Sequence, residues 1–155
     1  AHVQFEGLKF FPKPVQSPHP PLWVGGEAKA ARRRAGRLGD GWYPVGNNPK
    51  APFDTAERYA AGLADVTAAA ETAGRNPSDI ARGLFVIWYK SGEAEKTPEG
   101  DRRSFTGPAD AILEDIGAYR EAGLEHLVIG GESDNLEQCL DRMRRFASDI
   151  MRRVT

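Results

Sequence analysis

The chain has 155 residues, with 21 lysines and arginines against 22 aspartates and glutamates, and its net charge is close to zero. This length fits one domain with a substantial core, and the charge balance argues against a nucleic-acid-binding surface. Its lone cysteine, Cys139, excludes an internal disulfide, and without a membrane-length apolar run or a secretory leader we expect a cytoplasmic protein that does not associate with membranes.

The first predicted βα unit carries the most informative motif. Residues 1–21 are rich in proline and are predicted to be an irregular lead-in to a single domain spanning 1–155. A strand at Leu22–Val24, the pair Gly25–Gly26 and a helix over about 27–38 follow. Glycines let the backbone turn sharply near a ligand, and the helix start presents unpaired N–H groups. The motif therefore predicts an anion site suited to a phosphate-bearing cofactor.

The next unit pairs a second strand, Gly41–Val45, with a helix over about 54–74 that Asp54 or Thr55 could cap. A third strand is predicted at Leu84–Tyr89, where the sequence is continuously apolar and rich in β-branched and aromatic residues. Such runs are typical of strands that are covered on both faces, as in parallel sheets.

The last part of the chain begins with a polar loop over about 90–105. Thr106–Pro108 then opens a helix, since proline is tolerated in a first turn, and a strand at His126–Ile129 precedes a final helix over about 135–153. Four strand–helix units indicate a parallel sheet with right-handed crossovers. They could form a small doubly wound domain or half of an eight-unit barrel, and the pattern alone favours neither.

Five segments together resemble the luciferase-like monooxygenase superfamily, and in particular its branch that depends on the deazaflavin coenzyme F420. They are Pro12–Gln16, Pro20–Gly26, Leu38–Trp42, Phe105–Pro108 and Tyr119–Ile129. The resemblance implies a (β/α)₈ TIM barrel of which this chain matches the C-terminal half, with four βα units. It also implies an oxidoreductase or monooxygenase that uses F420 or FMN on a small-molecule substrate.

The resemblance implies a cofactor-phosphate loop at Gly25, Gly26, Glu27 and Ala28. It implies a substrate pocket at Tyr43, Val45, Trp88 and Tyr89, and it equates the loop after the third strand with a mobile active-site loop. The positions of the loop, the pocket and the mobile segment are mutually consistent, because barrel sites lie at the carboxyl ends of strands. Relatives often have small hydroxyl residues after the glycine pair. Glu27 instead competes with a phosphate for the positive end of the helix, which Lys29 or Arg32 could offset.

The family's first half carries most of the residues that hold the cofactor ring and move protons, so no catalytic residue is assigned here. No spacing of metal ligands is present in the sequence. The run Arg32–Arg34 fits a solvated helix face. Because four parallel strands leave open edges and an uncovered face, we expect the chain to associate with a missing N-terminal half-barrel or with a second copy. The alternative is a non-catalytic α/β module that binds a phosphate-bearing ligand or dimerises.

Overall fold

The structure, a computed structural model, describes residues 4–9, 11–131 and 135–154. Its elements alternate between strands and helices along the chain. They are, in order, β1 (Trp23–Gly25), α1 (Lys29–Leu38), β2 (Gly41–Tyr43), α2 (Ala56–Thr72), β3 (Ala81–Val86), β4 (Lys90–Ser91), β5 (Thr106–Gly107), α3 (Ala109–Glu121), β6 (His126–Ile129) and α4 (Leu136–Phe146). A wider helical turn over Ala147–Met151 continues α4.

Among the described residues, β1, β2, β3 and β6 form one parallel sheet in that order. The spatial order follows the chain order, as in a barrel, whereas a doubly wound sheet reverses its order at a switch point. The predicted fold is therefore confirmed as four βα units of a partial barrel. Within the same residues, β1 and β6 have no neighbour on their outer edges.

One face of the sheet packs against the helices and forms the core. Its strand residues Trp42, Leu84 and Val86 are fully buried together with Tyr59 of α2 and Tyr119 of α3. The Trp42 and Tyr59 rings are stacked with centroids 5.5 Å apart. The Tyr59 hydroxyl donates to the Gly83 carbonyl, so the large aromatic side chains bury apolar area while their polar atoms stay paired.

The opposite face carries an aromatic cluster that the helices leave uncovered. Its members are Trp23, Tyr43, Phe85 and His126, which contact one another edge-on or stacked. Two glycines make room for these rings. A Cβ at Gly41 would lie 2.8 Å from the Trp23 ring, and one at Gly83 would lie 2.8 Å from the Tyr43 ring. In a closed barrel this face would line the interior.

Helices α1 and α2 approach each other at a single glycine. A Cβ on Gly36 would lie 2.4 Å from the Val66 carbonyl oxygen, so only glycine fits there. Ala35 beside it is fully buried, whereas Leu38 at the end of α1 is 68% exposed. The buried side of α1 therefore includes Ala35 and Gly36 but not Leu38.

The third strand differs from its predicted span. It begins at Ala81 rather than Leu84 and ends at Val86 rather than Tyr89. Its last sheet partner is Ile129. Beyond Val86 the chain leaves the sheet, and the two ends of the predicted polar loop are joined by the β4–β5 pair. None of the described helices is both long and apolar enough to cross a membrane.

Candidate functional site

Three connections follow the carboxyl ends of neighbouring strands. They are the β1–α1 loop (Gly26–Ala28), the β2–α2 loop (Pro44–Thr55) and the chain that leaves β3. Beyond the short strand β4, which lies outside this sheet, that chain continues as a longer segment, residues 92–105, which we call the flap. Because the strands are parallel, these segments meet at the same edge of the sheet, where the sites of barrel proteins lie.

The β1–α1 loop turns at Gly26, whose φ is +103°. A Cβ there would lie 3.1 Å from the Ala31 Cβ, so a side chain would be both strained and crowded. The first bonds of α1 run from Ala31 and Arg32 to the Ala28 carbonyl. Among the described residues, the N–H groups of Lys29 and Ala30 have no acceptor, and no side chain caps the helix. These N–H groups are available to a ligand.

Glu27 is directed toward the β2–α2 loop. Its Oε1 accepts the backbone N–H of Val45 at 2.9 Å and that of Gly46 at 3.3 Å. A second bond to the β1–α1 loop comes from β2, where the Trp42 indole donates to the Gly26 carbonyl at 3.1 Å. The carboxylate expected to compete for the start of α1 is thus bonded to two amides of another loop, and both loops are held together.

The predicted pocket residues fall into two groups. Tyr43 and Val45 lie beside the β1–α1 loop: the Tyr43 ring stacks on Phe85 on the open face, and the Val45 amide bonds Glu27. Burial raises the pKa of the Tyr43 phenol above its usual value. Tyr43 is therefore a neutral hydroxyl at physiological pH and can donate a hydrogen bond.

Trp88 and Tyr89 lie elsewhere. Trp88 is in the helix-side core, and its indole donates to the Ser104 carbonyl of the flap at 2.9 Å. Tyr89 packs edge-on against Phe146, beyond the end of the sheet. Both line a cavity of about 550 Å³ between the segment 87–91 and α4. No described ring contact joins this pair to Tyr43, but the Trp88 ring lies 3.1 Å from the Cβ position of Gly46, next to Val45.

Two residues of the open face were missed by the sequence interpretation. Phe85 stacks on Tyr43, and Ile87 is 46% exposed where β3 leaves the sheet. Alternation along the strand gives the signal: Leu84, Val86 and Trp88 face the helices, so the residues between them face the other way.

The flap is anchored to α3 by one carboxylate. The Asp115 carboxylate accepts hydrogen bonds from both terminal nitrogens of Arg102, at 2.8 and 2.6 Å, and from the backbone N–H of Phe105 at 2.6 Å. Phe105 is fully buried and has a φ of 63°, a conformation that is unfavourable for a residue with a side chain. Arg103 lies over the Trp88 ring with its guanidinium carbon 4.5 Å from the centroid. The flap is therefore held at its base.

In the part of the chain that the structure describes, no three His, Cys, Asp or Glu side chains are grouped so as to hold a metal ion.

The fold and this site define half of a parallel βα barrel with glycine-rich and polar connections at the carboxyl ends of its strands. The luciferase-like monooxygenase family matches residues 1–99, and the chain belongs to that family. A 45-residue segment is 40% identical to the FMNH(2)-dependent dimethylsulfone monooxygenase of Pseudomonas putida, covering 29% of this chain and 12% of that protein.

Solved structures share the fold. An F420-dependent secondary alcohol dehydrogenase, in complex with an F420–acetone adduct, superposes with a TM-score of 0.66 at 18% identity, over 99% of this chain and 56% of its own. The F420-dependent tetrahydromethanopterin reductase of Methanopyrus kandleri gives 0.63 at 11% identity, over 87% and 51%. The monooxygenase RslO1 of Streptomyces bottropensis gives 0.60 at 21% identity, over 99% and 56%. The chain spans about half the length of these structures.

Proposed function

We propose that this chain is the C-terminal half-barrel of a flavin- or F420-dependent oxidoreductase, in which it supplies the cofactor-phosphate loop and part of the substrate pocket. One observation carries the proposal. The β1–α1 loop leaves the Lys29 and Ala30 amides without a described acceptor, beside a glycine whose missing side chain keeps the approach open. A phosphate matches such a group of amides at the start of a helix.

The residues present fit a phosphate of either cofactor. Gly25, Gly26 and Ala28 bring no polar side chain to compete, and the Glu27 carboxylate is engaged with Val45 and Gly46. Lys29 adds a positive charge at the first position of α1. When bound, the cofactor would supply the hydride transfer or oxygen activation, for which the protein provides binding and orientation.

On the substrate side we assign binding and exclusion of water to the side chains near the strand ends. Tyr43 offers a neutral hydroxyl on the open face, where its ring stacks on Phe85, and the backbone N–H of Val45 is bonded to Glu27. Trp88 and Tyr89 would contribute through the cavity that they line beside α4. None of these side chains is proposed as a proton donor or acceptor in turnover.

The open face and the two unpaired edges of the described sheet support the proposal that a partner packs against this chain. Trp23 is 40% exposed and Val128 is 41% exposed on a face that a barrel would bury. We propose that a complementary half-barrel covers it, either an N-terminal half of the same enzyme or a second copy of this chain. The small-molecule substrate would bind in the closed barrel, so we expect the isolated chain to lack turnover.

The phosphate loop can be tested with inorganic phosphate and with FMN and F420. In amide NMR spectra we expect phosphate to shift the resonances of residues 27–30. Gly26→Val should weaken this binding about tenfold. A residue with a side chain costs roughly 1–2 kcal/mol in a left-handed backbone conformation, so the loop is expected to relax away from its native geometry. Gly74→Val is the matched control, since Gly74 also has a positive φ of 70° but has no atom near its Cβ position.

Equal phosphate affinity for the Gly26→Val variant and the native chain would contradict the assignment. So would phosphate-induced shifts that map away from residues 27–30. Cofactor affinity, measured by fluorescence, should follow the same order among the three proteins.

A further inference from the structure

Trp88 lies between two of the segments at the carboxyl edge of the sheet. On one side is the β2–α2 loop, where a Cβ at Gly46 would lie only 3.1 Å from the ring. The φ of Gly46 is +80°, so the loop passes close to the ring at a residue that has no side chain. On the other side is the flap, whose Ser104 carbonyl accepts the indole N–H at 2.9 Å. Trp88 therefore packs against the loop and bonds to the flap.

The flap holds the Trp88 ring by a second contact. The guanidinium carbon of Arg103 lies 4.5 Å from the ring centroid, within the range of cation–π attraction. The same part of the flap is anchored to α3 by Asp115, which accepts the Phe105 N–H at 2.6 Å. Because Trp88 is only 9% exposed, its ring has little freedom to turn independently of the base of the flap.

Gly46 is also the residue at which this contact meets the bond from Glu27. The Gly46 N–H donates to the Glu27 carboxylate at 3.3 Å, and the Gly46 carbonyl accepts the Phe53 N–H at 2.9 Å. Both polar groups of its backbone are therefore held, while the place of its missing side chain faces Trp88. The three segments are joined in series: the β1–α1 loop through Glu27, the β2–α2 loop through Gly46 and the flap through Trp88.

A groove of about 320 Å³ lies between the β2–α2 loop and the flap, lined by positions 46–58 on one wall and 96–103 on the other. Within the described part of the chain, the ion pair that crosses it joins Arg58 to Glu99 at 3.7 Å, with both side chains exposed. Such exposed pairs contribute little. Gly46 and Arg103 lie on opposite walls, and the Trp88 ring lies against both of them. The ring therefore sets the distance between the walls at this point.

We propose that Trp88 is a positioning residue, which transmits the position of the β2–α2 loop to the flap and fixes the width of the groove between them. This role is separate from the cavity beside α4. The inference rests on the proposed function in one respect, namely that the β1–α1 loop receives the cofactor. In that enzyme the cofactor loop and the far wall of the groove would not move independently, because Glu27, Gly46 and Trp88 connect them. The groove lies at the edge where barrel sites open, so its width would affect the access of substrate.

A double-mutant cycle on this chain tests the coupling. Glu27→Ala removes the acceptor of the Gly46 N–H, and Trp88→Phe removes the indole nitrogen and shortens the ring on the side of Gly46. We expect Glu27→Ala to speed the amide exchange of Arg103, whose N–H is bonded within the flap at 2.8 Å, roughly threefold to tenfold. The rate is taken relative to that of Glu125, whose N–H is bonded to β3 at the opposite edge of the sheet and reports global opening. In the Trp88→Phe background, Glu27→Ala should have no further effect.

Tyr119→Phe is the matched control. Tyr119 also joins the two segments, since its hydroxyl donates to the Phe53 carbonyl at 2.8 Å and its ring packs against Phe105 of the flap. Like Trp88→Phe, this variant removes one hydrogen bond from an aromatic side chain to a backbone carbonyl. In the Tyr119→Phe background, Glu27→Ala should keep its full effect on the flap. Loss of the effect in this background would assign the transmission to Tyr119 and overturn the role of Trp88.

A spectroscopic signature separates this transmission from a general loss of stability. The Trp88 indole N–H resonance, assigned by its absence in Trp88→Phe, should shift in Glu27→Ala and return most of the way in Glu27→Gln, which keeps an acceptor oxygen. An unchanged indole resonance with unchanged Arg103 exchange in Glu27→Ala, or additive effects of the two substitutions, would overturn the proposal. None of these measurements uses phosphate, so that result would leave the phosphate loop intact. Coupling without any phosphate-induced shift at residues 27–30 would overturn the proposed function alone.

Discussion

The Glu27 carboxylate accepts the backbone N–H of Val45 at 2.9 Å across a separation of 18 residues. It accepts the Gly46 amide as well, at 3.3 Å. A single half-buried side chain thus joins the loop assigned to the cofactor with the loop assigned to the substrate. Displacement of one loop would change the position of the other.

This link predicts the effect of Glu27→Ala. The substitution leaves the Val45 and Gly46 amides without their acceptor, and hydrogen bonds to a charged group are worth about 1.5–3 kcal/mol. We expect the free energy of unfolding to fall by about 2 kcal/mol, with faster amide exchange at both residues. Glu27→Gln keeps an acceptor oxygen and should lose about half as much. If the alanine variant matches the native chain in urea unfolding, the two hydrogen bonds of Glu27 do not contribute to stability.

The close approach of α1 and α2 gives a second prediction, made with two helical glycines. Gly36→Ala would place a Cβ 2.4 Å from the Val66 carbonyl oxygen. Because backbone must move, we expect a loss of about 1–3 kcal/mol, despite the helix propensity that alanine gains. Gly117→Ala is the control: no atom lies within 4 Å of its Cβ position, so it should stabilise by about 0.5–1 kcal/mol. Thermal unfolding of both variants measures the difference in sign.

Local patterns predicted the fold well, since continuous apolar strands and amphipathic helices are properties of neighbouring residues. They did not give the end of β3, because that depends on where the adjacent strands stop pairing, at Val86 and Ile129. The apolar run through Trp88 and Tyr89 extended the predicted strand, yet both side chains pack against the flap and α4. Alternation would have identified Phe85.

The site was harder to predict than the fold. Gly26 could be recognised from the sequence, because a glycine just before a helix allows the backbone to turn sharply there. The acceptor role of Glu27 is not recognisable, because its partners are backbone amides that only the packed sheet brings near. A residue's type indicates its charge but not the direction in which the fold turns it.

The anchor of the flap supports a third prediction. Asp115 holds Arg102 through two hydrogen bonds and Phe105 through its backbone N–H. Asp115→Asn removes the charge and one of the acceptor oxygens, so we expect faster exchange and faster proteolysis within residues 92–105. The loss of unfolding free energy should be about 1–3 kcal/mol. Glu121→Gln, a change farther along α3 at a residue with no described cation partner, should leave the flap unaffected. Unchanged proteolysis in Asp115→Asn would mean that the flap is held by its own backbone bonds.

The fourth prediction concerns acid stability at the opposite edge of the sheet, where Arg82 of β3 is paired with Glu125 beside β6. The hydrogen bond from Arg82 lowers the pKa of the Glu125 carboxyl below its usual value. Since the folded-state pKa is the lower one, the contribution is complete above the unfolded value of about 4.3 and is lost as the pH falls through the folded pKa. Both side chains are partly exposed, so the amount is below about 1 kcal/mol.

Urea unfolding of the native chain and of Glu125→Gln, at pH 7 and at pH 3, measures that contribution. The two proteins should differ at pH 7 and converge toward pH 3, where protonation removes the charge that the variant lacks. Glu121→Gln, at the end of α3, should not differ from the native chain at either pH, because no described cation pairs with Glu121. A constant difference between the native chain and Glu125→Gln at both pH values would attribute the effect to the bond from the Arg82 backbone N–H to Glu125, and the pair would then have no electrostatic role.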